Sequence, residues 1–211
     1  MVRQTSTSDS PLVIIVDDDP QICEAVKDLL RSVDIDALTF PNAREMLNYA
    51  LPDKPGCMVL DVRLPGTSGL DFQAQLNTRG NALPIIFMTG HGDIPMTVRA
   101  MKAGAVDFLA KPVRDQDLLD AVFGAIDRDR ARRANEAESR QIAELEKTLT
   151  PREREVASAV IRGLMNKQIA FDLGITEMTV KLHRGNVMRK MQARSVADLI
   201  YKAQMLGGIG Q

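Results

Sequence analysis

The stretch IIVDDDP, residues 14–20, places the end of a short apolar run directly before three consecutive aspartates. Such a run is typical of a strand buried on both faces of a parallel sheet. Asp17 and Asp18 then stand where that strand ends. Two like charges about 4 Å apart repel by on the order of 4 kcal/mol at an effective dielectric near 20. The chain must therefore supply or bind positive charge at this strand end.

Short apolar runs alternate with helical patterns through the first 128 residues. This alternation predicts a doubly wound α/β domain with a five-stranded parallel sheet over residues 11–128. Directly after the first run, Asp19 is predicted to cap a helix whose first residue is Pro20. The five strands are predicted at Leu12–Val16, Ile35–Phe40, Met58–Asp61, Pro84–Met88 and Val106–Ala110.

Three more polar residues stand at or just past the ends of other predicted strands. Asp61 and Thr89 follow the third and fourth apolar runs, and Lys111 comes just after the fifth. Ligands in such sheets bind at the carboxyl ends of the strands. Carboxylate oxygens are ligands that Mg²⁺ prefers, and Lys111 adds a fixed ammonium. The pattern indicates a magnesium site for phosphoryl transfer, in which Asp17 and Asp18 hold the metal, Asp61 is the nucleophile and Thr89 binds the phosphoryl group.

Charge is distributed unevenly along the chain. Residues 1–128 carry 12 Lys and Arg against 18 Asp and Glu, whereas residues 150–211 carry 10 against 5. A basic carboxyl-terminal part is a candidate for binding nucleic acid. Residues 129–148 contain neither Gly nor Pro and are predicted to form a helical linker, either solvated or touching a second copy of the chain. Residues 1–10 are polar and predicted to be disordered.

The basic part, residues 149–211, carries a series of helix signals. Thr150 begins a capping box with Pro151 at the first helical position. A short helix from Asn166, a turn at Gly174 and a third helix capped by Thr176 follow. A fourth helix begins at Ser195. This order predicts an all-α four-helix domain that contains a helix-turn-helix.

A helical wheel divides the third helix of this part into two faces. Val180, Val187 and Met191 point towards a core. The opposite face mixes positive charge with small or apolar groups, which suits phosphates, base edges and thymine methyl groups. Its members are Met178, Lys181, Leu182, Gly185 and Arg189.

Residues 11–128 resemble the receiver domain of bacterial two-component response regulators. The motifs DDDP, LDVRLPG, MTGHGD and DFLAKP carry the resemblance. It implies a flavodoxin-like fold in which Asp17 and Asp18 are the acidic pair and Asp61 is the phosphoacceptor. It further implies that the backbone carbonyl of Arg63 completes the protein ligands of Mg²⁺ or Mn²⁺.

The same resemblance implies a switch. Thr89 and Lys111 would be the switch threonine and the lysine of the family pattern, and Phe108 stands where many receivers carry a switching tyrosine. Lys111-Pro112 would be a cis bond. A phosphoryl group would draw Thr89 inward, reseat the loop Gly90 to Pro95 and alter a face built from residues 94–103 and 113–125. Phosphorylation would then favour a homodimer.

Residues 149–206 resemble the LuxR/FixJ-type (NarL-family) DNA-binding domain, through LTPREREV, GLMNKQIA and TVKLHRGNVMRKM. The resemblance implies that Lys181, Leu182 and position 185 face bases. Gly185 departs from the larger residues often found there and offers no side chain for base readout. Residues near DNA phosphates would be Lys167, Thr179 and Arg184.

Together the two resemblances predict a phosphorylation-controlled transcription factor and no enzyme. Its predicted partners are a sensor histidine kinase, promoter double-stranded DNA and RNA polymerase. Two alternatives remain open at this point. A haloacid-dehalogenase-like phosphatase would use the DDD strand end and leave Asp61 without a role, and a receiver-coupled antiterminator would bind RNA.

A cytoplasmic location is expected from three features of the sequence. No run approaches the roughly 18 apolar residues of a membrane span. The first ten residues lack the apolar stretch of a secretory signal. Cys23 and Cys57 are far apart and have no CxxC partner, which favours unpaired thiols in a reducing compartment.

Overall fold

The computed structural model describes residues 10–90 and 94–209. The predicted disorder over residues 1–10 falls, apart from Ser10, outside these ranges. The chain divides into two compact units, and the division lies between Arg133 and Ala134. Each unit has its own hydrophobic core.

The first unit is built on a five-stranded parallel sheet, which confirms the predicted fold class. Its strands are β1 (Leu12–Val16), β2 (Asp36–Phe40), β3 (Gly56–Asp61), β6 (Ile85–Thr89) and β7 (Asp107–Ala110). They lie in the order β2-β1-β3-β6-β7, and their bounds differ from the predicted ones by at most two residues. A small antiparallel hairpin, β4 (Arg63–Leu64) with β5 (Thr67–Ser68), follows β3 and was not predicted.

Alternate strand residues point to opposite sides of the sheet, and both sides are apolar. Helices therefore cover both faces of the sheet. In β1, Ile14 and Val16 belong to one apolar cluster, and Val13 and Ile15 to the other. The helices of the first cluster are α2 (Ala43–Asn48), α3 (Gly69–Thr78) and α4 (Ile94–Lys102), and those of the second are α1 (Pro20–Arg31) and the first turns of α5 (Asp115–Lys147). Pro20 begins α1 and Asp19 caps it, as predicted.

The predicted linker, residues 129–148, is helical through Lys147 as the end of α5, but it is not solvated along its whole length. Asp129 is fully buried within the first unit, where its Oδ2 accepts a hydrogen bond from the backbone N–H of Gly56 at 3.0 Å. Arg132 and Arg133 donate to the same carboxylate. Ile142 is 3% exposed and belongs to the core of the second unit.

The second unit contains the four predicted helices. The Thr150 capping box and the caps at Thr176 and Ser195 are present, and Gly174 has a left-handed backbone with φ of 64°. Only a residue without Cβ adopts that conformation at little cost, so the glycine permits the sharp turn between two helices. The helices are α6 (Pro151–Ile161), α7 (Asn166–Leu173), α8 (Glu177–Lys190) and α9 (Val196–Met205).

Candidate functional site

Three carboxylates meet at the carboxyl-terminal edge of the sheet, as the sequence predicts. Asp17 and Asp18 follow β1, and Asp61 ends the neighbouring strand β3. Each side chain offers an oxygen, and these oxygens lie within 4.8 Å of one another. Asp17 is 2% exposed and Asp61 8%, whereas Asp18 faces solvent. We refer to Asp17, Asp18 and Asp61 together as the acidic pocket.

Lys111 lies against the acidic pocket and joins two of its members. Its Nζ is 2.6 Å from Asp17 Oδ2 and 3.0 Å from Asp61 Oδ2. Burial alone would lower the pKa of Lys111, but hydrogen bonds and charge attraction from Asp17 and Asp61 outweigh it and raise the pKa above the ordinary value. The ammonium is therefore held in its charged form between the two carboxylates.

Backbone groups orient both buried carboxylates. The N–H of Asp19 donates to Asp17 Oδ1 at 3.0 Å, and the N–H of Arg63 donates to Asp61 Oδ1 at 3.2 Å. Burial raises the pKa of Asp17, while the hydrogen bonds from Lys111 and Asp19 oppose that rise. The net rise in the pKa of Asp17 means that the neighbouring groups do not fully offset the cost of burying its charge. Further positive charge beside these oxygens would stabilise the anion.

The donor set of the acidic pocket fits a hard divalent cation. It consists of carboxylate oxygens, which Mg²⁺ and Mn²⁺ prefer over nitrogen or sulfur ligands. Arg63, whose carbonyl is the predicted fourth protein ligand, lies two residues beyond Asp61 at the start of β4.

Thr89 and Phe108 lie on the two strands that follow β3 in the sheet. Thr89 ends β6, is 1% exposed and is paired with Ala110 of β7. Its carbonyl accepts the backbone N–H of Lys111 at 2.7 Å, and the Lys111-Pro112 bond is cis, as predicted. Phe108 is partly buried, with its ring centroid 6.1 Å from that of Phe87. Of the predicted switch loop Gly90 to Pro95, residues 91–93 lie outside the described ranges.

Helix α4 begins at Ile94, so Ile94 and Pro95 of the predicted loop are helical, and the helix exposes an apolar stripe. Ile94 is 81% exposed, Val98 45% and Met101 44%. Their spacing of four and three residues places them on one side of the helix. The stripe belongs to the face that the sequence predicts to change on phosphorylation.

The two faces of α8 are those that the helical wheel predicts. Val180, Val187 and Met191 are at most 1% exposed and belong to the core of the second unit. All five residues assigned to the opposite face are exposed, and they form what we call the outer face of α8: Met178, Lys181, Leu182, Gly185 and Arg189. Lys167, on α7, is exposed as well.

The other two predicted phosphate contacts are partly buried and already bonded. Thr179 Oγ1 lies 2.8 Å from Thr176 Oγ1 at the start of α8. Arg184 Nη1 donates to Asn166 Oδ1 at 3.1 Å and so ties α8 to α7. This role of Asn166 was not predicted, because a residue that opens a helix carries no signal for a partner on another helix.

Comparison with known proteins gives two matches, one for each part of the chain. A family model described as the response regulator receiver domain matches residues 13–123. A second, described as bacterial regulatory proteins of the luxR family, matches residues 147–203. The second match supports DNA over RNA as the nucleic acid.

Known relatives align with nearly the whole chain. Nodulation protein W of Bradyrhizobium diazoefficiens is 54% identical over 96% of this chain and 89% of its own length. The transcriptional regulatory protein FixJ of Azorhizobium caulinodans is 40% identical over 92% of both chains. The solved response regulator StyR is 47% identical, with a TM-score of 0.80 over 92% of this chain and 98% of its own.

No helix in the described ranges is both long and apolar enough to cross a membrane. With the receiver fold, the acidic pocket and the helix-turn-helix all present, the comparisons identify the chain's family. It belongs to the two-component response regulators that join a receiver domain to a LuxR-type DNA-binding domain, and it is a DNA-binding transcriptional regulator of a two-component system.

Proposed function

We propose that Asp61 accepts a phosphoryl group from a sensor histidine kinase, and that the resulting acyl phosphate controls promoter binding through α8. The receiver would span residues 11–128 and the DNA-binding domain residues 149–211, with residues 129–148 between them. The observation that carries the proposal is Lys111, which contacts both Asp17 and Asp61 at the strand ends. A cation fixed there stabilises the charge that develops on a phosphoryl group bound to Asp61.

The transfer forms one bond and breaks one. A carboxylate oxygen of Asp61 attacks the phosphorus of a phosphohistidine, and the phosphorus–nitrogen bond breaks as its electron pair returns to the imidazole. Asp17, Asp18, Asp61 and the carbonyl of Arg63 would hold Mg²⁺ or Mn²⁺, which when bound neutralises charge on the phosphoryl oxygens. Lys111 would shift from Asp61 to a phosphoryl oxygen.

The reaction stops at the phosphorylated protein, so we assign no enzymatic turnover. A haloacid-dehalogenase-like phosphatase would instead use the DDD strand end as nucleophile and leave Asp61 unused. Incubation with phosphomonoesters separates the two: repeated turnover would support the phosphatase, and a stoichiometric acyl phosphate on Asp61 supports the receiver. Against a phosphatase stands Asp61 itself, which is oriented by the Arg63 N–H and paired with Lys111.

We further propose that phosphorylation pairs two copies of the chain through α4. Thr89 would turn towards the phosphoryl group, with Phe108 filling the space it leaves, and α4 would be displaced. The supporting observation is the exposed stripe of Ile94, Val98 and Met101, which a second copy would remove from water.

Light scattering before and after treatment with acetyl phosphate tests this pairing. The mass is expected to double in the wild type. Val98→Asp should stay monomeric while Asp61 is still phosphorylated, because a charge would be buried in the new interface. Phe171→Asp, at a site on α7 that is 88% exposed, is the matched control and should still dimerise. An unchanged wild-type mass would refute the pairing.

The outer face of α8 would enter the major groove of promoter DNA. Lys181, Leu182 and Gly185 would lie at base edges, and Arg189 and the three predicted phosphate contacts, Lys167, Thr179 and Arg184, along the backbone. RNA polymerase would be the further partner at the promoter. The protein would act in the cytoplasm. Lys181→Ala should weaken specific binding by roughly 1 to 3 kcal/mol. Competition with duplex RNA distinguishes an antiterminator, which would prefer RNA.

A further inference from the structure

The outer face of α8 exposes two large apolar side chains. Met178 is 73% exposed and Leu182 63%, and neither belongs to the core of the second unit. Residues four apart on a helix lie one above the other, so the two side chains form a short apolar ridge. Packing within the unit does not account for this ridge.

The surroundings of the ridge favour DNA as its partner. Lys181 and Arg189 are exposed on the same face. Met178 is the second residue of α8, and in helix-turn-helix proteins the first turns of the second helix reach base edges. The thymine C5-methyl is the apolar group that a base edge presents in the major groove. A protein partner would have to cover the apolar ridge and the neighbouring cations together.

About one turn beyond Leu182, the outer face of α8 has a position without a side chain, Gly185. A Cβ placed on Gly185 would have no heavy atom within 4 Å, so this position lies open to solvent and carries no side chain. Gly185 thus gives no side-chain readout where the family resemblance implies one. The first turns of α8, which reach base edges in this motif, present Met178, Lys181 and Leu182, whereas Arg189 lies in the last turn of the helix.

Resting on the proposed function, we propose that Met178 is a specificity-determining residue and that, with Leu182, it reads thymine methyl groups. Four residues of helix rise about 6 Å, and successive base pairs are about 3.4 Å apart. The two methyl groups therefore lie about two base steps apart. The base pair opposite Gly185 is read weakly or not at all.

Selection from a random duplex library, run with the full-length protein treated with acetyl phosphate and MgCl₂, supplies the probe for the test. Enriched duplexes are then resynthesised with deoxyuridine in place of one thymidine at a time, which deletes only the methyl group. Fluorescence anisotropy should show a loss of about fourfold in affinity at each of two positions, the amount expected for one buried methyl-sized group. Met178→Ala should abolish the effect at one position, and Leu182→Ala at the other.

Two control variants separate methyl readout from general damage. Met178→Leu keeps an apolar side chain and should retain most of the thymidine preference. Phe171→Ala removes a comparably exposed apolar residue from α7 and should leave both deoxyuridine effects unchanged.

The outcomes distinguish this inference from the proposed function. Failure of any duplex to enrich would overturn DNA recognition as a whole. Specific binding that is insensitive to deoxyuridine would overturn the methyl readout alone. Equal weakening of Met178→Ala on thymidine and deoxyuridine duplexes would also overturn it, since the residue would then act through shape or stability.

Discussion

Replacing Asp61 by asparagine removes one negative charge from the acidic pocket and leaves its shape nearly unchanged. The new carboxamide keeps an oxygen that can accept the N–H of Arg63, and Lys111 keeps its closer partner Asp17 at 2.6 Å. The substitution therefore isolates the electrostatic cost of the third carboxylate. We expect the variant to be more stable than the wild type when divalent cations are absent.

The size of this stabilisation follows from the distances between the charged atoms of the acidic pocket and Lys111. At an effective dielectric near 20, Asp61 is attracted to Lys111 at 3.0 Å by about 5.5 kcal/mol. Two carboxylates within 4.8 Å each repel it by at least about 3.5 kcal/mol. The balance opposes the Asp61 charge by about 1.5 kcal/mol, and solvent around Asp18 reduces this to about 1 kcal/mol. The variant should be more stable by that amount.

Magnesium should reverse the order of stability of the wild type and Asp61→Asn. A divalent cation in the acidic pocket attracts all three carboxylates, so its binding stabilises the wild type more than a variant with one charge fewer. Excess MgCl₂ is expected to raise the unfolding free energy of the wild type clearly and that of Asp61→Asn much less.

The assay must resolve the receiver, because a chain with two compact units need not unfold in one transition. Hydrogen exchange of β3 peptides across a urea series, with EDTA or with MgCl₂, reports the first unit alone. A variant that is less stable than the wild type in EDTA would refute the charge argument. Equal stabilisation of both proteins by magnesium would refute Asp61 as part of the metal site.

Three further changes test other parts of the structure. Burial acts to raise the pKa of Glu153, but hydrogen bonds from Lys190 and Thr150 lower it below its ordinary 4.5. The Glu153 carboxylate therefore contributes its full stabilisation above pH 4.5, and this stabilisation is lost as pH falls through the lowered pKa. Glu153→Gln should weaken the loss of second-unit stability at acid pH, which hydrogen exchange measures. An unchanged pH dependence would contradict this. Gly185→Ala should stabilise the same unit by about 1 kcal/mol, since the site is open and helical, and a destabilised variant would contradict the open geometry. Asp129→Asn should destabilise the first unit by about 2 to 3 kcal/mol in urea, because two arginines lose the charge of their buried partner. A neutral result would show that these ion pairs are dispensable.

Much of the receiver could be predicted because its signals are local. Each strand is a short apolar run, and the residues that follow it must lie at one edge of a parallel sheet. The convergence of Asp17, Asp61 and Lys111 could therefore be predicted without any knowledge of distant contacts. The outer face of α8 was predictable for the same reason, since a helical wheel needs only the spacing of Val180 and Val187.

Features that depend on distant partners could not be predicted. Asp129 reads as one more charge in a charged helix, yet its carboxylate accepts the N–H of Gly56, 73 residues earlier in the chain. Arg184 and Asn166 are 18 residues apart on different helices. The β4–β5 hairpin has two-residue strands, which are too short to show a periodic pattern.

The central claim is that Asp61 carries the phosphoryl group. Incubation with acetyl phosphate and MgCl₂, followed by borohydride reduction, converts an aspartyl phosphate to homoserine, and peptide mass spectrometry locates the converted residue. We predict homoserine at position 61 in the wild type and at no position in Asp61→Asn. Conversion at Asp17 or Asp18, or conversion that persists in the variant, would contradict the claim.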